Sequence, residues 1–133
     1  MKNILILCTQ NSARTIMAET LIKFNFKSEV NCYSAGLKNS EKIDENTLKA
    51  IKEFGISTKD LETKTLNTLD NIDFDIVVIV CDEGENIIPE QYSDKKIIFI
   101  DIEDPKGKKF FEYLKTMNNI NTTLIPQLKE LLK

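Results

Sequence analysis

The stretch Ile4-Leu5-Ile6-Leu7-Cys8-Thr9-Gln10-Asn11-Ser12-Ala13-Arg14-Thr15 restricts the folds open to this chain more than any other. An apolar run ends at a cysteine, mostly small or polar residues follow, and an arginine closes the segment. A helical pattern then sets in, with Ala13, Met17, Leu21 and Phe24 on one face. A strand apolar on both faces belongs in the middle of a parallel sheet. Strand, tight loop and helix in that order open a right-handed βαβ crossover.

The rest of the chain continues the alternation. The first strand is expected over residues 3–7, and the first helix ends near Phe26-Lys27. A second strand is expected over 29–34, after which Ala35-Gly36 turns the chain into a polar loop over 38–44. Leu48, Ile51 and Phe54 mark a helix that Gly55 terminates. Residues 57–73 are threonine-rich and weakly periodic, with room for a short helix near 65–69. Further strands fall at 76–80, with Cys81 at the end, and at 96–100, separated by a loop over 82–93 that contains Pro89. An acidic loop, 101–106, holds Asp104-Pro105. Phe110, Phe111, Leu114 and Met117 outline one more helix, and Ile120, Leu124, Leu128 and Leu131 outline a last one, kinked or started late by Pro126. The expected architecture is α/β in three layers, with helices on both faces of a parallel sheet. Ligands of such sheets sit beyond the carboxyl ends of the strands. Cys8, Cys81 and Asp104 all lie at or just past strand ends and should share one edge. With no linker, repeat or low-complexity segment, residues 1–133 are expected to form one catalytic domain.

Composition narrows the chemistry. A net charge of −3, with lysines interspersed among acids, argues against nucleic acid or an anionic membrane as the partner. No apolar run approaches the roughly 20 residues of a membrane span, and Met-Lys-Asn leads straight into the first strand, so no signal peptide is expected. Three cysteines in such a chain point to free thiols in a reducing compartment, the cytoplasm. There is no histidine, which removes the commonest metal ligand and the usual base beside a Ser or Cys nucleophile. Neither a Walker loop nor a Gly-x-Gly-x-x-Gly segment is present, so nucleotide binding is not expected.

The opening stretch has the parts of an oxyanion site. Backbone N–H groups at a helix N-terminus lack intrahelical partners and sit at the positive end of the helix dipole. A loop wrapping into that terminus aims several of them at one anion, so Thr9, Gln10, Asn11, Ser12, Ala13, Arg14 and Thr15 are the candidate oxyanion-binding residues. The same field lowers a thiol pKa from about 8.5 to between ~3.5 and ~7.5. Arg14 offers a planar fork to two oxygens of a tetrahedral oxyanion, and Ser12 and Thr15 offer hydroxyl donors to the sulfur. Asn11 tolerates left-handed backbone and suits a shaping role in the loop. Gln10 is strained if its position demands a positive φ, which would favour a binding or regulatory module over an enzyme. Asp104-Pro105 by itself is a turn signal.

Cys8 through Thr15, followed by Met17-Ala18-Glu19, resembles the low-molecular-weight protein tyrosine phosphatase superfamily, and within it the thioredoxin-coupled arsenate reductase branch most of all. The likeness extends through Tyr33-Ser34-Ala35-Gly36, Val77-Val78-Ile79-Val80-Cys81 and Asp104-Pro105-Lys106-Gly107-Lys108. It implies a four-stranded parallel sheet in the order 2-1-3-4 and a monomer acting on a small oxyanion: arsenate, with phosphate or sulfate as analogues. By this resemblance Cys8 is the nucleophile, Arg14 the clamp, Asp104 the general acid and Cys81 the thiol that attacks the Cys8 adduct, releasing arsenite and leaving a disulfide. Asp101 and Glu103 can raise the Asp104 pKa by like-charge repulsion.

The chain also departs from the pattern. Where a third cysteine is expected it has Ile88, and Cys32, inside the second strand on the face of Ser34, reads as core. The adduct must then be resolved by Cys81 with an outside donor such as thioredoxin, or by glutathione with glutaredoxin; no tightly bound cofactor is expected. The second reading is a phosphatase working through a phosphocysteine, with Asp104 as acid and then base. Lys106-Gly107 in place of an aromatic pair, and Ala13 in place of a cysteine, weigh against a tyrosine phosphatase. The resemblance also implies a monovalent cation, potassium, held by Asn11, Glu19 and Ser34, although no acidic fourth ligand matches around Lys64-Thr65.

Overall fold

Ile4, Leu5, Ile6 and Leu7 are all completely buried, as residues of a strand apolar on both faces must be. They sit in β1 (Lys2–Gln10), one of the two inner strands of a four-stranded parallel sheet that also contains β2 (Val30–Lys38), β3 (Ile76–Cys81) and β4 (Lys96–Asp101), in the order β2-β1-β3-β4. This is a computed structural model; it describes residues 1–10, 13–38, 42–81 and 90–133, with the side chains of Gln10 and Cys81 left out. Successive residues of each strand face opposite sides of the sheet. Ile4, Ile6, Cys32, Val78, Val80, Ile98 and Ile100 face one core cluster, and Leu5, Leu7, Ala35, Val77 and Ile79 face the other.

The α-helices of the described residues, α1 (Arg14–Phe26), α2 (Glu45–Glu53) and α3 (Phe110–Leu131), contribute to the first cluster. The second is closed by the 3-10 turns Leu66–Leu69 and Glu90–Tyr92, which bring Leu69 and Tyr92 over the sheet beside Phe74. Phe74 stands edge-on to Tyr33 and to Tyr92, with centroids 5.7 Å and 6.1 Å apart. Among the described residues, this face of the sheet is covered by those turns and by aromatic rings. None of the described helices is long and apolar enough to cross a membrane.

Several boundaries differ from the sequence expectation. β1 continues through Cys8 to Gln10, and β2 continues through Ala35-Gly36 to Lys38, with Leu7 opposite Ala35, Cys8 opposite Gly36 and Gln10 opposite Lys38. Gly36 does not turn the chain, because it is paired on both sides: its N–H donates to the Lys64 carbonyl at 2.9 Å, and it bridges Thr65. The two final helices are one. The stripe Tyr113, Met117, Ile120, Leu124 and Leu128 is buried throughout α3, and that packing carries the helix across Pro126, which faces solvent. In α1, Phe24 is 54% exposed and Phe26 is buried in its place. Residues Arg14 through Ile22 are buried without a break, because the sheet, α2 and α3 all pack against this helix, so a single stripe does not describe it. Gly55, at φ +78°, ends α2 as expected.

Candidate active site

Cys8 lies in β1 two residues before its end and is almost wholly buried. Its Sγ is 3.5 Å from the Thr15 hydroxyl oxygen, with the thiol donating. Once the sulfur is a thiolate, the hydroxyl can rotate its hydrogen toward it and become the donor. Arg14 and Thr15 are the first residues of α1, and Ala13 before them has no side-chain oxygen with which to cap the helix. The N-terminus of α1, with the positive end of its dipole, lies beside the thiol. Gln10 closes β1 in extended backbone opposite Lys38, so its place in the strand makes no demand for positive φ. Asn11 and Ser12 lie outside the described residues.

The Arg14 guanidinium is buried and tied to the loop beyond β4. Nη1 donates to the Ile102 carbonyl at 2.8 Å, and Nη2 is 3.8 Å from Asp104 Oδ2. A charge-assisted bond of this kind contributes about 1.5–3 kcal/mol and orients the guanidinium plane. The Asp104 side chain is 39% exposed, and its Oδ1 accepts from the Lys106 N–H at 3.0 Å. The chain then turns at Gly107, φ +84°, where the Lys108 N–H donates to the Pro105 carbonyl. Lys108 pairs with Glu103 and holds that carboxyl below its usual range, leaving Glu103 engaged away from Asp104. The Tyr113 hydroxyl donates to Asp44 Oδ2, while Asp44 Oδ1 caps α2 through the Asn46 N–H at 3.2 Å. Burial, and then the Asp44 carboxylate, push the Tyr113 pKa up to about 12, with Asp104 adding to the rise and the Gly107 amide opposing it.

Cys81 closes β3 in register with Asp101. Ile88 and its neighbours, residues 82–89, are outside the described residues. Cys32 is buried in β2, where burial first and the nearby Glu19 next push its thiol well above the usual range; Lys23 and Lys64 offset this in part.

Of the residues expected to hold a cation, Glu19 and Ser34 are both buried, but the carboxylate already faces two lysines. Glu19 Oε2 is 2.8 Å from Lys23 Nζ, and Oε1 is 4.0 Å from Lys64 Nζ. Burial lowers the Lys23 pKa, and the Glu19 pair outweighs it, so the group ends above its usual range. A potassium ion about 4 Å from either ammonium would be repelled by roughly 4 kcal/mol at an effective dielectric near 20. Glu19, so paired, does not fit a bound monovalent cation.

The sequence did not reveal the Ile102 carbonyl behind Arg14, because a backbone group carries no side-chain signal. The Lys64–Glu19 and Tyr113–Asp44 pairs were also missed. Asp44 immediately before a helix was a legible cap, but its second partner lies far along the chain.

Three comparisons place this geometry among known proteins. An arsenate reductase of Bacillus cereus (strain AH187) is 32% identical over 122 residues, covering 90% of this chain and 88% of that protein. The crystal structure of an arsenate reductase from Archaeoglobus fulgidus superposes with a TM-score of 0.76 at 30% identity, covering 97% of this chain and 98% of the other. The arginine phosphatase YwlE superposes with a TM-score of 0.82 at 26% identity, covering 98% and 96%. The model of the low molecular weight phosphotyrosine protein phosphatase family matches residues 3–133, and the chain belongs to that family.

Proposed function

We propose that this protein is a thiol-dependent arsenate reductase. Cys8 Sγ attacks arsenate held by the N–H groups of the loop and by Arg14, while Asp104 protonates the departing oxygen, which leaves as water. Cys81 then attacks Cys8 Sγ; the sulfur–arsenic electron pair stays on arsenic, arsenite departs, and a Cys8–Cys81 disulfide remains. An external dithiol of the thioredoxin type, or glutathione with glutaredoxin, returns both thiols. The cycle consumes two thiol electrons per arsenate, and it requires a reducing compartment such as the cytoplasm.

One observation carries the oxyanion chemistry: the first two residues of α1 bear the hydroxyl that pairs with the Cys8 thiol, on Thr15, and the guanidinium that lies 3.8 Å from Asp104, on Arg14. The arsenate reductase relatives, similar over nine-tenths of the chain, favour arsenate. A second reading rests on Ile88, where a three-thiol relay would need cysteine, and on the likeness to an arginine phosphatase. In that reading water hydrolyses a phosphocysteine on the same loop and Cys81 is dispensable.

The test is arsenite production with each reductant system, together with para-nitrophenyl phosphate hydrolysis, for the wild type and two variants. Cys8→Ser is expected to lose both activities by at least about 10³-fold. Cys81→Ser is expected to lose arsenite production and keep phosphate release. Brisk phosphate release without arsenite, indifferent to Cys81, would replace the reductase with the phosphatase.

A further inference from the structure

Glu19 sits in the buried half of α1, where an ionised carboxylate persists only with counter-charge. Its two oxygens are served unequally. Oε2 takes an ion-paired hydrogen bond from Lys23, whose side chain is 53% exposed and shares its charge with water. Oε1 is shielded from solvent, accepts no hydrogen bond from the described residues, and has the Lys64 ammonium 4.0 Å away. The Lys64 side chain is only 19% exposed, so its charge is screened far less.

The backbone of Lys64 is anchored as well. Its carbonyl accepts the Gly36 N–H at 2.9 Å, and Gly36 lies opposite Cys8 in the sheet. Lys64 therefore joins β2, the strand paired with the one that carries the proposed nucleophile, through its main chain, to the helix whose N-terminus faces that thiol, through its ammonium. The same charges act on the buried Cys32 thiol, which burial and then Glu19 push up and both lysines push down.

We propose that Lys64 is the built-in counter-cation of Glu19, occupying with its ammonium the role a bound monovalent cation would otherwise play at this carboxylate. An ammonium and a potassium ion are alike in charge and size, and the pocket has charge complementarity for one of them. Lys64 is then a positioning residue: it holds α1 and the loop ahead of it in place without touching the oxyanion. The assignment stands whether the oxyanion is arsenate or phosphate.

The experiment measures melting temperature and para-nitrophenyl phosphate KM and kcat in potassium, sodium and N-methylglucamine chlorides at equal ionic strength. It uses the wild type, Lys64→Met and Lys64→Arg. The wild type is expected to be the same in all three salts. Lys64→Met is expected to melt several degrees lower and to bind the oxyanion severalfold more weakly in N-methylglucamine, with potassium restoring both. Lys64→Arg is expected to match the wild type without potassium. A wild type that gains stability or affinity from potassium overturns the proposal, and so does a Lys64→Met protein that behaves alike in all salts. If Lys64→Met does not fold, the wild-type salt comparison and Lys64→Arg still decide. Melting is read without turnover, so a failure here is separable from a failure of the reductase reading.

Discussion

Cys8 and Cys32 are both buried thiols, and their neighbours give them opposite chemistry. Cys8 has the Thr15 hydroxyl and the positive end of α1 beside it, the surroundings that the proposed thiolate nucleophile requires in a chain without histidine. Cys32 has apolar side chains and the Glu19 carboxylate, both of which disfavour its anion. Iodoacetamide at neutral pH is therefore expected to alkylate Cys8 in the native protein, with phosphate or arsenate slowing it, and to reach Cys32 only after denaturation. Peptide mass spectrometry reads both; a Cys32 adduct forming at a similar rate in the native protein would contradict this. Cys32→Ala is expected to leave kcat within about twofold, since Cys32 lies in the core opposite Ile4 and is not one of the proposed reacting groups.

Two elements owe their placement to single residues. Asp44 caps α2 with one oxygen and receives Tyr113 of α3 with the other, and the same hydroxyl meets the Gly107 amide in the turn that carries Asp104. Tyr113→Phe is expected to cost about 1.5–3 kcal/mol of stability at neutral pH, and to lower kcat by loosening that turn. The pH dependence has a definite sign. The folded pKa of Tyr113, about 12, lies above the unfolded value near 10, so its contribution is complete below about pH 10 and is lost as pH rises through about 12. The stability gap between wild type and Tyr113→Phe in urea titrations should stay constant up to about pH 10 and shrink above it; a gap that widens contradicts the assignment. In α3, Pro126 removes one main-chain donor from a helix that its packing keeps unbroken. Pro126→Ala is expected to raise stability by about 1–3 kcal/mol with unchanged turnover, read by thermal melting.

At the scale of the whole molecule, the described residues cover the sheet with α-helices on one face and with turns and rings on the other. Phe74 is the centre of that second cover, so Phe74→Ala is expected to cost about 3–5 kcal/mol. That is a large share of the 5–15 kcal/mol typical of a domain, and thermal melting should show a drop of the order of 10 °C or more. Phe111→Ala, at a ring 65% exposed, should stay within about 0.5 kcal/mol. Much of this architecture was legible locally. Hydrophobic periodicity located the strands around Ile4, Val77 and Ile98, and Gly55 marked the end of α2, because those signals depend on residues a few positions apart. The spacing of Cys8, Arg14 and Thr15 outlined the loop for the same reason. Strand length was not legible, since β1 and β2 are extended by pairing with each other, and neither was the single helix across Pro126, which a continuous buried stripe enforces. The partners of the charged groups were the least legible. Arg14 meets the carbonyl of a residue 88 positions away, and Tyr113 meets Asp44 across 69. Local pattern states which residues are apolar, polar or reactive; which of them meet is decided when the sheet closes and the helices dock, because contacts at such separations exist only in the packed chain.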